Sequence, residues 1–371
     1  TTKTGKENEK TRINVTVENS FNKPMNFPDF VNGATWMEMY NEAQLTRNPG
    51  ATPKYSQLDI DNTRNQVNPY IYPDVQWKDV IFKNMNMNQR ANVNISGGGS
   101  KASYYMSLQA NHDTGLLDTK KVYSYNNINN WGYNFQNNIS YKITSTTKID
   151  LHMNAQIRNK KGPNYSTSDL FAQMLYCNPI NFPVTFPAQP GDTHIRFGNA
   201  IWTGSSVRTN PYAYMLSSFK EYNENTLNTS LKINQKLDFV TKGLSVQAMV
   251  NWKNWASSSY NRTIEPYYYG IKGGSYNPSN PTDYEIERLG TSGTDYLKTS
   301  DISKASDQTF YLDARVNYDR QFNLHHVTGM LMYMQREYRS SVLPERNQGF
   351  SGRFTYDYGQ RYLVELKDRK S

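Results

Sequence analysis

The feature that most constrains this chain is a strict two-residue alternation of apolar and polar side chains, held over unusually long stretches. Between positions 131 and 144 one parity reads Trp131, Tyr133, Phe135, Asn137, Ile139, Tyr141, Ile143. The other reads Gly132, Asn134, Gln136, Asn138, Ser140, Lys142, Thr144. Ile149, Leu151, Met153, Ala155 and Ile157 then oppose Lys148, Asp150, His152, Asn154, Gln156 and Arg158, and Tyr104, Met106, Leu108 and Ala110 oppose Ser103, Tyr105, Ser107, Gln109 and Asn111. Leu227, Leu231, Ile233, Leu237 and Phe239 oppose Asn228, Ser230, Lys232, Asn234, Lys236 and Asp238. Phe310, Leu312, Ala314, Val316 and Tyr318 oppose Tyr311, Asp313, Arg315, Asn317 and Asp319. Ile13, Val15 and Val17 give a shorter example, and segments 89–96, 244–252 and 327–334 complete the set. Alternation at this period puts one side-chain set on each face of a strand, one face apolar and one wet.

The connections fall into two kinds. Short turns are expected near 97–101, 145–146, 241–243, 323–326 and 359–360, each closing a hairpin. Long connections are expected over about 21–84, 113–130, 160–225, 257–308 and 340–350, with helices at 34–47 and 168–176. A strand of ~12–14 residues spans ~40–45 Å and, tilted ~40°, still rises ~30 Å. That exceeds the ~25 Å apolar band of an outer-membrane barrel, where short turns line one rim and long loops the other. The aromatics Trp131, Tyr133, Tyr141, Trp252, Trp255, Tyr318 and Tyr333 suit interfacial girdles. Leu108, Phe135 and Leu151 inside a dry two-layer interior would contradict this reading.

Composition narrows the rest. Only 36% of the 371 residues are hydrophobic, yet 13% are aromatic, which is too polar for an α/β enzyme core and too patterned for disorder. One cysteine, Cys177, permits neither an intrachain disulfide nor a Cys-based metal cluster. No run of ~18 apolar residues provides a membrane-spanning helix. The start has neither an initiator Met nor an apolar signal region, so the chain is expected to be processed or part of something longer. The net charge of +9 is dispersed among acids and carries no nucleic-acid motif.

Candidate chemistry is sparse. His112, His152, His194, His325 and His326 form no HExxH motif or Cys/His spacing, so no metal is expected. His152 reads as a hydrated wall residue and His325 and His326 as exposed turn residues. Ser96-Gly97-Gly98-Gly99-Ser100-Lys101 lacks phosphate-loop spacing and reads as a flexible hairpin turn. Asp59-Ile60-Asp61-Asn62 lacks the glycine and terminal Glu of a calcium loop. Sequons such as Asn94-Ile95-Ser96 and Asn138-Ile139-Ser140 fall inside expected strands. With no GxSxG, SxxK or comparable constellation, neither an enzyme nor a cofactor is expected.

Several segments carry a resemblance. The opening Thr1-Thr2-Lys3-Thr4-Gly5-Lys6 is similar to the plug-domain ending of the SusC/RagA-type TonB-linked outer-membrane transporters (TonB-dependent receptors). Tyr72-Pro73-Asp74-Val75-Gln76-Trp77-Lys78-Asp79-Val80-Ile81-Phe82 resembles another stretch of that family, followed by Asn92-Val93-Asn94-Ile95-Ser96-Gly97-Gly98, Ser103-Tyr104-Tyr105-Met106-Ser107 and Gly115-Leu116-Leu117. Lys242-Gly243-Leu244-Ser245, Gly352-Arg353-Phe354-Thr355-Tyr356 and Arg361-Tyr362-Leu363 resemble its later hairpins. The resemblance implies an all-β, transmembrane antiparallel β-barrel of 22 strands with a plugged lumen. It implies nutrient uptake of oligosaccharides or peptides across the cell outer membrane, energised through the TonB complex and assisted by a SusD-like surface lipoprotein lid.

On this reading the chain supplies about eleven strands: 1–8 the tail end of the plug, 9–371 the N-terminal half of the barrel. The final Glu365-Leu366-Lys367-Asp368-Arg369-Lys370-Ser371 is expected to stop in mid-hairpin and depart from the strand pattern. The partners are outer-membrane lipid, the lid, TonB through the plug, and a glycan or peptide ligand, with no nucleic acid. The loop aromatics Trp202, Tyr212, Tyr214, Trp255, Tyr267, Tyr268, Tyr269 and Tyr276 are the candidate substrate-binding residues, since aromatic faces stack on sugars with little entropy loss. Packing of these loops is the competing role for them. A passive porin or adhesin barrel and a secreted glycan-binding β-sandwich remain the alternatives.

Overall fold

A computed structural model describes residues 3–119, 128–204, 206–280, 282–291 and 293–370. Thr1, Thr2, Ser371 and the centre of the expected 113–130 connection lie outside the described residues. The alternating segments form eleven long strands: β1 Arg12–Asn22, β2 Asn86–Gly98, β3 Ala102–Thr114, β4 Asn129–Lys142, β5 Thr147–Pro163, β6 Ser218–Lys236, β7 Leu244–Thr263, β8 Ser303–Phe322, β9 His325–Arg339, β10 Glu345–Tyr358 and β11 Tyr362–Lys370. They pair antiparallel in chain order, and the two-residue strand Lys298–Thr299 adds to the far end of β7. Among the described residues β1 pairs only with β2 and β11 only with β10, so the sheet is open.

Register confirms the two faces. Leu108 stands opposite Val93 and Phe135, and Val250 opposite Leu231 and Leu312. This apolar face carries no second layer among the described residues: Leu108 is 54% exposed, Phe135 36% and Leu331 69%, while Leu151 is half-buried among its neighbours on the sheet. A β-sandwich would bury such residues in a core ~10 Å thick.

The opposite face is held by amide and hydroxyl groups. Asn14 bonds Asn94 (3.1 Å), Asn92 bonds Ser107 (3.0 Å), Asn154 bonds Asn134 (3.0 Å) and Asn251 bonds Asn228 (2.7 Å). Cross-strand pairs of this kind satisfy polar groups without charge. Beyond Trp252 the apolar stripe of β7 gives way to Asn254, Ala256 and Ser258, so the upper part of this strand is polar on both sides.

Several boundaries differ from expectation. The strand containing Leu231 ends at Lys236, and Leu237 and Phe239 lie in the turn, where Leu237 N–H still bonds Leu244 O (2.8 Å). Trp255 lies within β7 opposite Asp307 and Thr226, on the polar parity, which removes it from the apolar girdle and from the loops. The connection expected at 340–350 shrinks, because β10 begins at Glu345. His325 and His326 begin β9 rather than sit in the turn, bonded to Tyr356 (2.8 Å) and Asp319 (2.8 Å). Glu365–Lys370 continue β11 in register with β10 instead of leaving the pattern, and Ser371 lies outside the described residues.

Antiparallel alternation places every long connection at one rim. There the loops fold into a cap with its own core of Trp77, Ile81, Leu117, Leu170, Met174, Phe182, Phe197, Tyr212, Met215 and Leu216. Among the described residues five helices serve the loops: α1 Gly33–Arg47, α2 Gln57–Arg64, α3 Trp77–Ile81, α4 Thr167–Tyr176 and α5 Pro211–Leu216. Only α1 and α4 were expected. Ser56 with Asp59 and Ser166 with Asp169 form capping boxes, so the Asp59–Asn62 acids start a helix and are not arranged for calcium. Asn210, fully buried, accepts from the amides of Tyr212 and Ala213 and donates to the carbonyls of Val184 and Gly198 (2.8–3.1 Å). Replacing Asn210 by Ala strands those groups and should cost the cap about 2–4 kcal/mol, read as faster proteolytic cleavage of residues 164–217 with the sheet intact.

Candidate functional site

The cap carries a small three-stranded sheet in which Tyr267–Ile271 pairs antiparallel with Ile286–Leu289 and parallel with Arg196–Gly198. Period two splits the tyrosine triplet: Tyr267 and Tyr269 share one face and Tyr268 takes the other. Tyr268 packs on the cap core, and burial, with Tyr165 nearby, pushes its hydroxyl up to about 12.

On the other face a polar cluster forms around His194. Its ring stacks on Tyr267 at 3.9 Å between centroids, and its Nε2 lies 2.8 Å from the Tyr269 hydroxyl. Tyr267 donates to Asp295 (3.1 Å), and so does Thr193 (3.1 Å). The Arg288 guanidinium lies 4.7 Å from the Tyr267 ring centre and that of Arg196 4.7 Å from the Tyr269 ring centre. Arg196 Nε donates to Asp192 at 2.6 Å and its NH2 group donates to Gln189 at 2.9 Å. That hydrogen bond, joined by the Gln189 amide, holds the Asp192 carboxyl down at about 2. The result is a packed aromatic–imidazole cluster in which Tyr269, His194 and Arg196 are largely buried and Asp295 stands exposed at the edge, where a polar ligand could be held by hydrogen bonds. His194, Arg196, Arg288 and Asp192 were not singled out from the sequence; they converge only through pairing across some seventy positions.

The other candidates are dispersed. Tyr212 is buried in the cap core, 6.1 Å from Phe197, and does not reach a ligand. Tyr214 stacks on Tyr165 at 3.7 Å, where burial raises its hydroxyl. Tyr276 meets Tyr72 edge-on at 5.9 Å, and their hydrogen bond and burial push Tyr276 up to about 12. Trp202 stands exposed under the Arg208 guanidinium at 4.1 Å. Trp255 is on the strand wall. Only Tyr267 and Tyr269 of the eight share a surface with polar partners.

Other features are structural. The thiol of Cys177 is pushed up to about 12 by burial, which removes it as a nucleophile. Among the described residues no group of three or more His, Cys, Asp or Glu side chains is placed to hold a metal ion. The segment that carried much of the resemblance stitches the cap: Val75 N–H bonds Pro179 O (2.9 Å), Gly33 N–H bonds Asp74 (2.7 Å) and Trp77 Nε1–H bonds Asn178 O (3.3 Å).

Comparison with solved structures fits this architecture. The chain superposes on the RagAB peptide importer in its closed-closed state with a TM-score of 0.65 at 15% identity, over 99% of this chain and 42% of that one. It matches another structure of the RagAB peptide transporter at 0.63 and the open-open state of the importer at 0.62, each at 15% identity over 99% of this chain. These likenesses establish the fold. The chain spans less than half the length of the importer chains it matches. No known family profile matches it, and no curated protein does.

The clasp and the buried tyrosine titrate in opposite directions. Asp192 is depressed, so its contribution is complete above the ordinary carboxylate value of about 4 and fades as pH falls from there toward 2. Tyr268 is raised, so its contribution is complete below about 10 and fades as pH rises toward 12. Tyrosinate absorbance should therefore retain a late step near 12, and Tyr268→Phe and Tyr276→Phe should each diminish it.

Proposed function

We propose that this chain is the first half of the wall of a TonB-linked importer in the outer membrane, with residues 1–8 ending an internal plug and 9–371 supplying the barrel strands. The observation that carries the reading is the sheet's apolar face, which has no protein layer over it among the described residues although Leu108, Leu331 and Phe135 stand on it. Lipid is the remaining apolar medium for a surface of this size. Eleven long strands, long loops at one rim and the match over 99% of this chain to an importer structure support the same reading.

A glycan or peptide would bind at the cap beside Tyr267, where Arg288 and Asp295 offer exposed polar groups and Tyr269, His194 and Arg196 hold the cluster from within. A SusD-like lipoprotein would close over it, and TonB acting on the plug would open the path. In this role the cap binds and orients, and the strand wall provides the hydrated passage.

The free edges of β1 and β11 require further strands in lipid, because each unsatisfied backbone group there costs several kcal/mol. Added to planar bilayers alone, the 371-residue chain should give no stable, uniform channels; such channels would count against the half-wall reading.

Within the full-length protein, outward Leu108→Arg or Phe135→Arg should each cost about 2–4 kcal/mol of barrel stability, while inward Gln109→Arg should cost far less. Heat-modifiable gel migration reads this difference, and equal effects on both faces would exclude a lipid-facing sheet. Tyr267→Ala with Tyr269→Ala should reduce ligand uptake at least tenfold with surface assembly unchanged; unchanged uptake would remove the cluster from the binding role.

A further inference from the structure

The residues before β1 do not trail into solvent. They lie along the polar face of β2, β3 and β4. Starting at the short-turn rim, Gly98 N–H bonds Glu9 O (2.9 Å) and Asn8 N–H bonds Gly99 O (3.2 Å). Glu7 is next, paired with Lys142 Nζ at 2.6 Å. Deeper along the same face, the side-chain amide of Asn138 donates to Lys3 O at 2.6 Å.

Two glycines set how closely this segment approaches. A Cβ on Gly5 would lie 2.3 Å from Tyr104 O and 2.6 Å from Gly97 O, and a Cβ on Gly98 would lie 2.5 Å from Lys6 O. The contact is therefore backbone against backbone, which any side chain at either position would hold apart. Beneath it Ser103, Tyr105 and Asn138 are buried, although they belong to the polar parity of an otherwise hydrated face.

Asn138 is fixed before it reaches the segment. Its Oδ1 faces His152 Nδ1 at 2.9 Å. Since the Asn138 amide donates to Lys3, Oδ1 accepts, and His152 must carry its proton on Nδ1. The pair stands directly opposite in the β4–β5 register.

We infer that the polar face of β2–β4 is a built docking site for residues 3–9, with Asn138, oriented by His152, as the positioning residue and Gly5 and Gly98 as the points of close contact. The occupant that fits is this backbone itself, with a glycine at the close contact and a turn at Glu7–Asn8 that presents a carboxylate to Lys142 at the rim. The strap runs inward from the short-turn rim toward Asn138 along the polar side of the wall. The docking does not rest on the import role.

Hydrogen–deuterium exchange on the full-length protein in detergent tests it. The Asn8 and Gly98 amides should be protected in the unmodified protein. Asn138→Ala should speed exchange across residues 3–9 by about tenfold, and Glu7→Gln by a smaller factor. Gly5→Val should abolish the protection, while β4 and β5 amides stay unchanged in all three variants. If Gly5→Val fails to fold, the other two variants decide. Coil-like exchange of residues 3–9 in the unmodified protein, or undiminished protection in Asn138→Ala and Glu7→Gln, overturns the docking site. Exchange reads docking alone, so a failed uptake or bilayer experiment leaves this result standing.

Discussion

The structure depends on an uninterrupted antiparallel backbone ladder that keeps two incompatible side-chain sets apart. Because the side-chain period is two, the ladder sends Leu108, Phe135 and Val250 one way and Gln109, Gln136 and Asn251 the other. A slip of one residue in any pair would exchange the faces, so register and environment enforce each other. The amide pairs on the polar side lock that register without placing a charge at mid-height, as between Asn134 and Asn154. Nothing in the wall requires a conventional core, and among the described residues the hydrophobic core clusters lie in the cap.

The cap is a small globular structure hung on that wall. Trp77, Ile81 and Leu117, from the segments with the most recognisable sequence, are among its most buried residues. They join the first, second and third long loops, which have no long strands of their own to hold them. A recognisable sequence there marks residues that pack the cap, while the cluster around His194, largely buried apart from Arg288 and Asp295, is the proposed place for a ligand. The pleat separates the two sides within a single triplet, with Tyr268 turned to the cap core and Tyr269 to Arg196.

The wall was legible in the sequence because its signal is repeated over every strand from Ile13 to Met334. The boundaries that failed did so for local reasons. Leu237 and Phe239 keep the alternating parity for two steps past the end of the ladder, and hydrophobic pattern alone does not reveal where hydrogen bonding stops. The helices α2, α3 and α5 were missed because they are short and are fixed by caps and by packing rather than by an amphipathic repeat; Asn210 holds α5 through contacts to Val184 and Gly198 that lie far from it in sequence. The binding candidates were chosen by aromatic density, which does not separate Tyr212 in a core from Tyr267 at a surface. His194 and Arg196 gave little local signal: Asp192 and Gln189 lie close by in an irregular loop without a motif, and Tyr267 and Tyr269 come from the next long loop.

The strands are of unequal height. β7 and β8 have 20 residues each, against 13 for β2 and β3, and an apolar band is crossed by about 9–11 tilted residues. On the proposed membrane reading, roughly half of each tall strand would rise clear of the hydrocarbon, where Asn254 and Ser258 take over from the greasy stripe. That emergent ribbon would be a palisade stiffened by its own hydrogen bonds, holding the cap at a constant stand-off from the bilayer.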